Sequence, residues 1–290
     1  MNTISVEMNP DTCYVYHMLA AAQCGYVNPY GAMYGRRYPA EQLHVLKQNE
    51  KHISVCGGEY CGQLYYPLIA LPACGFVEAK QVYQAMTQTF ADGTVSPIIP
   101  GWLRPKYEAY AGEIVAISRI MVQYYDDYCQ RVYPQVKQEG AAYTAELQRL
   151  LDEHETAGRA ARILKSEVKD RCFHVRLCPS MEKGPQAIDI AENIHVFGMH
   201  QSPEAALQLI VHEYIIALMK PLLAGMQSFE TMENWKNVEG LAEYYCVQLL
   251  ERKPLAMLAE VVKQYECIAV RCPGFGPADM LREILTQQSR

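Results

Sequence analysis

The stretch Ser202-Pro203-Glu204-Ala205-Ala206-Leu207-Gln208-Leu209-Ile210-Val211-His212-Glu213-Tyr214-Ile215-Ile216-Ala217-Leu218-Met219-Lys220-Pro221 decides how the C-terminal part of this chain is read. It opens with a side-chain cap, a proline preset for the first helical position and an acid facing the positive end of a helix. A helix is therefore expected to start at Ser202 and to run to about Lys220, where Pro221 ends it. Upstream, Phe173 to Leu177 alternates apolar and basic residues and stops at Pro179, while Asn193 to Gly198 is a second short run rich in β-branched and aromatic residues. Both read as strands, with Lys183, Gly184 and Pro185 supplying a turn between them.

The periodicity changes near Lys169. From Tyr38 to that point it is helical, and two long stretches stand out by apolar spacings that alternate between four and three. The first runs Tyr110, Ile114, Ile117, Met121, Tyr124, Tyr128, Val132; the second runs Tyr143, Leu147, Leu150, His154, Ala157, Ala161, Leu164. Pro134 and Gly140 lie between them, a proline to stop one helix and a glycine to permit reversal, so the pair is expected to form an antiparallel hairpin. His154 on the second seam reads as a hydrogen-bonded core residue. The 21 tyrosines read as amphipathic packing residues whose hydroxyls reach the edge of the core.

A chain of 290 residues can bury a substantial core without help from metal or disulfides. With 32 acidic against 26 basic residues the formal net charge is -6, which argues against nucleic acid and anionic lipid as partners. No basic start followed by an apolar stretch opens the chain, and no uninterrupted apolar run approaches the roughly 20 residues of a membrane helix. The expectation is a soluble, cytoplasmic protein. Its 11 cysteines, odd in number and irregular in spacing, are expected to be reduced thiols. Cys56 and Cys61, with Cys74 as their nearest companion, bracket a glycine-rich turn rather than a zinc clip, and Cys267 and Cys272 make no better one.

Within the predicted helix stands Val211-His212-Glu213-Tyr214-Ile215-Ile216, and downstream comes Asn237-Val238-Glu239-Gly240-Leu241-Ala242-Glu243-Tyr244. In this order, from about Lys169 to Tyr265, the sequence resembles the glutamate-zincin superfamily of metallopeptidases. That family carries His-Glu-x-x-His on one helix and a Glu on a second, often within Glu-Gly-Leu-Ala. Together with the helical periodicity upstream, this gives an expected α+β, mostly α, fold. A helical N-terminal region over 1–168, to which the resemblance does not extend, precedes the zincin-like domain that the resemblance implies over 169–290, with a small sheet and active-site helices. The resemblance implies zinc as cofactor, His212 and Glu239 as metal ligands and Glu213 as the general base for a metal-bound water. Glu243, one turn after Glu239, matches the acid that holds the first histidine's other nitrogen. Tyr244, Tyr245 and Tyr265 are the candidates for an oxyanion-stabilising group.

Ile216 breaks the pattern. It stands where the second histidine belongs, and a branched hydrocarbon offers a metal no lone pair. His195 in the preceding strand, His200 in the following loop, Glu243 and Cys246 are the residues that would have to substitute. Two functions are therefore carried forward. One is a zinc peptidase homologue, impaired at the metal; the other is a non-catalytic pseudopeptidase that binds a peptide or partner protein, by strand addition along Asn193 to Gly198. Leu209, Ile216 and Met219 share the face of His212, so the helix also reads simply as a core helix with a satisfied histidine.

Overall fold

A computed structural model describes residues 3–25, 29–53, 62–165, 172–181, 184–189, 191–224, 226 and 232–288. The fold is α+β and mostly helical, with a small four-stranded mixed sheet. Contacts divide the chain into two compact units: Val6–Thr144 with His174–His200, and Met1–Ser5 with Ala145–Phe173 and Gln201–Arg290. The expected junction between 168 and 169 lies outside the described residues. Both units are discontinuous in sequence, because residues 174–200, with most of the sheet, cluster with the N-terminal helices.

The first unit holds α1 (Pro10–Ala21), α2 (Pro29–Tyr34), α3 (Ala40–Gln48), α4 (Glu50–Ile53), α5 (Leu71–Ala73), α6 (Ala79–Ala91), α7 (Leu103–Tyr107) and α8 (Ala111–Arg131). Asn9 starts α1, its side-chain oxygen accepting the Asp11 and Thr12 N–H groups at 3.0 Å each. Almost every α1 residue is buried, so this short helix is a core element without an exposed face. The Asp11 carboxylate accepts the Ala79 N–H and the Tyr125 hydroxyl, both at 2.7 Å, which ties the start of α6 and the middle of α8 to α1. The tyrosines go deeper than expected. Tyr14 and Tyr83 are fully buried, and their hydroxyls donate to the Met121 and Leu68 carbonyls at 2.5 and 2.6 Å, so each polar tip is satisfied inside the core.

The expected α8 hairpin is corrected by the structure. Helix α9 (Tyr133–Glu153) begins immediately after α8, with Pro134 as its second residue and Gly140 inside it, and α8 packs chiefly on α6. A proline in the first turn lacks an N–H that has no intrahelical partner anyway. Gly140 is there for clearance: a Cβ would meet Met8 Sδ at 2.5 Å and Met199 Cε at 3.0 Å. The second predicted seam is also interrupted. α9 ends at Glu153, His154 lies in the turn, Glu155 takes φ 45°, and α10 (Thr156–Ile163) starts afresh.

The strands are β1 (Thr3–Glu7), β2 (Cys172–Cys178), β3 (Gln186–Asp189) and β4 (Ile194–Gly198), in the spatial order β1-β2-β4-β3. β2 and β4 match the two predicted strands to within a residue. β4 pairs parallel with β2, Val175 opposite His195, and antiparallel with β3, Ala187 opposite His195. It is therefore an interior strand, and strand addition along Asn193 to Gly198 is excluded because both its edges are taken.

The second unit is built on α11 (Pro203–Leu223), α12 (Met232–Leu250), α13 (Ala259–Arg271) and α14 (Pro277–Gln288), with α10 against α11 and α12. Ser202 caps α11 as expected, its hydroxyl accepting the Ala205 N–H at 3.3 Å. Pro221 does not end the helix; it sits in the last turn, and α11 runs on to Leu223. By length and composition α11 is apolar enough to cross a membrane, but most of it is buried as the core of this unit. α12 and α13 approach closely at Gly240, where a Cβ would lie 2.3 Å from Val261 Cγ1 and 2.8 Å from its Cβ.

Candidate functional site

α11 and α12 pack side by side, and each brings one face of polar side chains to the seam. On α12, Glu239 and Glu243 are one turn apart and so project from the same face. On α11, Gln208 and His212 have the same spacing. The imidazole of His212 lies between the two acids: its Nδ1 is 2.8 Å from Glu243 Oε2 and its Nε2 is 2.7 Å from Glu239 Oε2. His212 and Glu243 are buried, at 3% and 0% exposure. The Glu239 side chain keeps 23% of its surface and forms the open end of the row.

Glu243 is the hub. Its Oε1 accepts the Gln208 side-chain amide and the Leu255 backbone N–H, both at 2.7 Å, while Oε2 faces His212. The Gln208 amide also donates to the Lys253 carbonyl at 3.0 Å. One buried carboxylate thus joins α11, α12 and the segment leading to α13. Burial alone works against its charge, but the His212, Leu255 and Gln208 donors overcome that and hold its carboxyl below the usual range. Burial likewise pulls the His212 imidazole down, and the two carboxylates outweigh it and push the ring up to about 9. At neutral pH the centre is an imidazolium donating from both nitrogens, one to each acid.

Glu213 follows His212 on α11. Burial, reinforced by the Glu239 charge and opposed by His212 and Lys220, pushes its carboxyl up to about 7. Ile216, one turn beyond His212, is buried at 3% exposure in the core of the unit. The three candidate oxyanion tyrosines pack together: the Tyr244 ring lies edge-on to Tyr245 at 5.1 Å and 6.3 Å from Tyr265. The Tyr265 hydroxyl donates to the Asn237 carbonyl at 3.0 Å, and that of Tyr245 to Met280 Sδ at 3.4 Å. Cys246 donates its thiol to the Gln208 carbonyl at 3.5 Å. His195 and His200 belong to the other unit, where His195 is buried and stacks on Phe197 at 6.5 Å; His200 is exposed. Cys56 and Cys61 lie outside the described residues.

The donor set does not fit a zinc centre as it stands. A catalytic zinc of this kind takes three protein ligands, and here only the His212 ring and the Glu239 carboxylate converge. The position that should offer a second imidazole holds the Ile216 hydrocarbon. Among the described residues no group of three or more His, Cys, Asp or Glu is disposed to hold a metal ion. What the arrangement can do is bind its own elements together through a charged hydrogen-bonded row.

Two members of this row have no counterpart in the sequence reading, Gln208 and the Leu255 N–H. Gln208 carried a signal: it is the polar residue one turn before His212 on a mostly apolar helix. The Leu255 amide carried none, since any residue there offers the same N–H. The chain matches no family model, no curated protein and no solved structure.

Proposed function

We propose that this chain is a glutamate-zincin-like pseudopeptidase: a relative of those zinc metallopeptidases that keeps the histidine–glutamate frame of their site without peptide-bond hydrolysis, and whose role is to bind a peptide or partner protein in the cytoplasm. The observation that carries the reading is the His212 ring held between Glu239 and Glu243 across two helices. It supports descent from a zincin site, because first ligand, carboxylate ligand and supporting acid come from the positions the family pattern assigns them. The reading of lost chemistry is supported by Ile216, whose hydrocarbon supplies nothing in place of the third ligand. The thiols of the described residues, none of them disulfide-bonded, suit a reducing compartment. With β4 enclosed on both sides, the ligand would bind by side-chain contacts rather than by extending the sheet.

The test is metal analysis with a peptide-library digest, run on the chain and on Ile216→His from zinc-supplemented medium. The chain itself is expected to carry far less than one zinc and to cleave nothing, while Ile216→His gains zinc. Stoichiometric zinc in the unaltered chain, with cleavage abolished by Glu213→Gln, would make it an active peptidase and overturn the proposal. Should Ile216→His gain neither zinc nor cleavage, the assignment of the zincin positions is wrong. Peptide binding is expected to survive chelators and Glu213→Gln alike.

A further inference from the structure

The first unit holds a histidine that the proposed function leaves unused. His17 on α1 is fully buried, and the rings of Tyr30, Tyr38 and Tyr128 pack on it at 5.4, 5.7 and 4.7 Å. Both its nitrogens are engaged: the Tyr30 hydroxyl lies 2.8 Å from Nδ1 and the Tyr38 hydroxyl 2.7 Å from Nε2. Burial, with the charge of Arg37, lowers the imidazole from 6.5 to about 3, so the ring is neutral at physiological pH. A neutral imidazole has one N–H and one lone pair, so one phenol accepts from it and the other donates to it.

That pairing sets Tyr38 apart from other buried tyrosines of the unit. The hydroxyls of Tyr14 and Tyr83 donate to backbone carbonyls, which take up no proton. The Tyr128 hydroxyl has no hydrogen-bond partner among the described residues. A phenol that loses an electron becomes a strong acid, and it gives up that electron readily only where a base within hydrogen-bond reach takes the proton. Tyr38 has such a base in His17 Nε2, and even a weakened imidazole holds a proton better than an oxidised phenol does. It also has a route outward, because its ring lies 4.9 Å from that of the half-buried Tyr124. Tyr125 has a base too, the Asp11 carboxylate, but its ring meets that of Tyr14, deeper in the core.

We propose that Tyr38 and His17 form a redox-active pair which, with Tyr124, relays one-electron oxidation by a small uncharged radical such as nitrogen dioxide from the core to the surface. Nitrogen dioxide takes one electron from Tyr38 and becomes nitrite, while the phenolic proton crosses to His17 Nε2 and the Nδ1–H stays on Tyr30. Tyr38 is left as a neutral radical beside an imidazolium. Tyr124 then gives an electron to Tyr38, His17 returns the proton, and Tyr124 releases its own proton to solvent. The balance is one nitrogen dioxide reduced, Tyr124 oxidised to its neutral radical and one proton set free. Return of the proton is favoured because burial penalises the imidazolium, and the same burial excludes a charged oxidant from the site.

The full chain would be exposed to nitrogen dioxide generated from peroxynitrite in bicarbonate, digested, and mapped for nitrotyrosine by mass spectrometry. A second nitrogen dioxide adds to the ring on which the radical rests, so the map reads the end of the relay. Tyr66 is the reference, because it is more exposed than Tyr124. Nitration of Tyr124 is expected to exceed that of Tyr66 in the unaltered chain. The order is expected to reverse in Tyr38→Phe, and in His17→Gln, which keeps hydrogen bonds to the phenols but takes up no proton. Tyr124→Phe leaves the cage around His17 intact, and there the radical is expected to stall and nitration to appear at Tyr38. Tyr66 ahead of Tyr124 in the unaltered chain, an unchanged order in a folded His17→Gln, or an unmodified Tyr38 in Tyr124→Phe would each overturn the proposal. The first and last of these outcomes decide it even if His17→Gln fails to fold.

Discussion

Replacing Glu243 by Gln tests the reading of the α11–α12 seam most directly, because the effect has a predicted size, sign and pH window. Gln can place its carbonyl where Oε1 stands and keep the Gln208 and Leu255 donors. Its amide nitrogen then meets His212 Nδ1, and the ring must turn from donor to acceptor there and give up its charge. In the unaltered chain the ring is raised from 6.5 to about 9, which corresponds to about 3 kcal/mol of stability. For a raised histidine that contribution is complete below 6.5 and is lost as pH rises through about 9. Urea unfolding of the wild type should therefore weaken between pH 7 and pH 10, and the variant's curve should be flatter. The two proteins should differ most near pH 6, by about 2–3 kcal/mol, and converge at high pH. An NMR titration of the ring protons, assigned by comparison with His212→Gln, should report a histidine titrating well above 7 that moves down in the variant. Parallel stability curves, or a His212 ring titrating near 6.5, would refute the ion-paired centre.

Glu213→Gln is expected to act with the opposite consequence at high pH. The carboxyl is raised from 4.5 to about 7, so its contribution is complete below 4.5 and lost as pH rises through 7; the amide should match wild type at pH 4 and be about 1–3 kcal/mol more stable at pH 8 by urea unfolding. For Gly240→Ala, relief of helical glycine contributes about 1 kcal/mol, but overlap with Val261 costs about 1–3 kcal/mol, so net destabilisation is expected. In a Val261→Ala background the same change should become stabilising, and a thermal-unfolding comparison of the four proteins reads the reversal of sign. His17, buried with Tyr30 and Tyr38 hydroxyls at 2.8 and 2.7 Å on its two nitrogens, is lowered by burial from 6.5 to about 3. Stability from this neutral ring is complete above 6.5 and is lost as pH falls toward 3, on the order of 4–5 kcal/mol, and the acid slope should be shallower in His17→Gln.

What the sequence disclosed was what local chemistry determines. Ser202, Pro203 and Glu204 start α11 by capping and dipole effects confined to one turn, and β2 and β4 show in their own alternation and β-branched residues. β1 and β3 were missed because four or five residues carry too little pattern; their existence depends on partners distant in the chain. Pro134, Gly140 and Pro221 were misread as punctuation. Each sits where its usual penalty is absent or outweighed: a first turn, a close approach by two methionines, a last turn. The His212, Glu239 and Glu243 placement was legible because i, i+4 spacing on two helices makes a testable juxtaposition.

The same geometry bears on why a broken metal motif would persist. If the row existed only to serve zinc, loss of the second histidine would leave one buried and one half-buried acid with no function. Glu243, however, also accepts the Gln208 amide and the Leu255 N–H, and an apolar replacement would take away the acceptor of both and of the buried His212 ring. Glu239, with Glu243, favours the charged form of the ring that lies between them. Under the proposed descent, each member is retained by the others. Gly240 adds a further constraint, fixed by the approach of Val261 whatever the chemistry of the groove. His212, Glu239 and Glu243 in the right order are thus as consistent with a helix clamp as with an enzyme. Only the question of what occupies the place of Ile216 separates the two, which is why zinc uptake by Ile216→His is decisive where inspection of the motif is not.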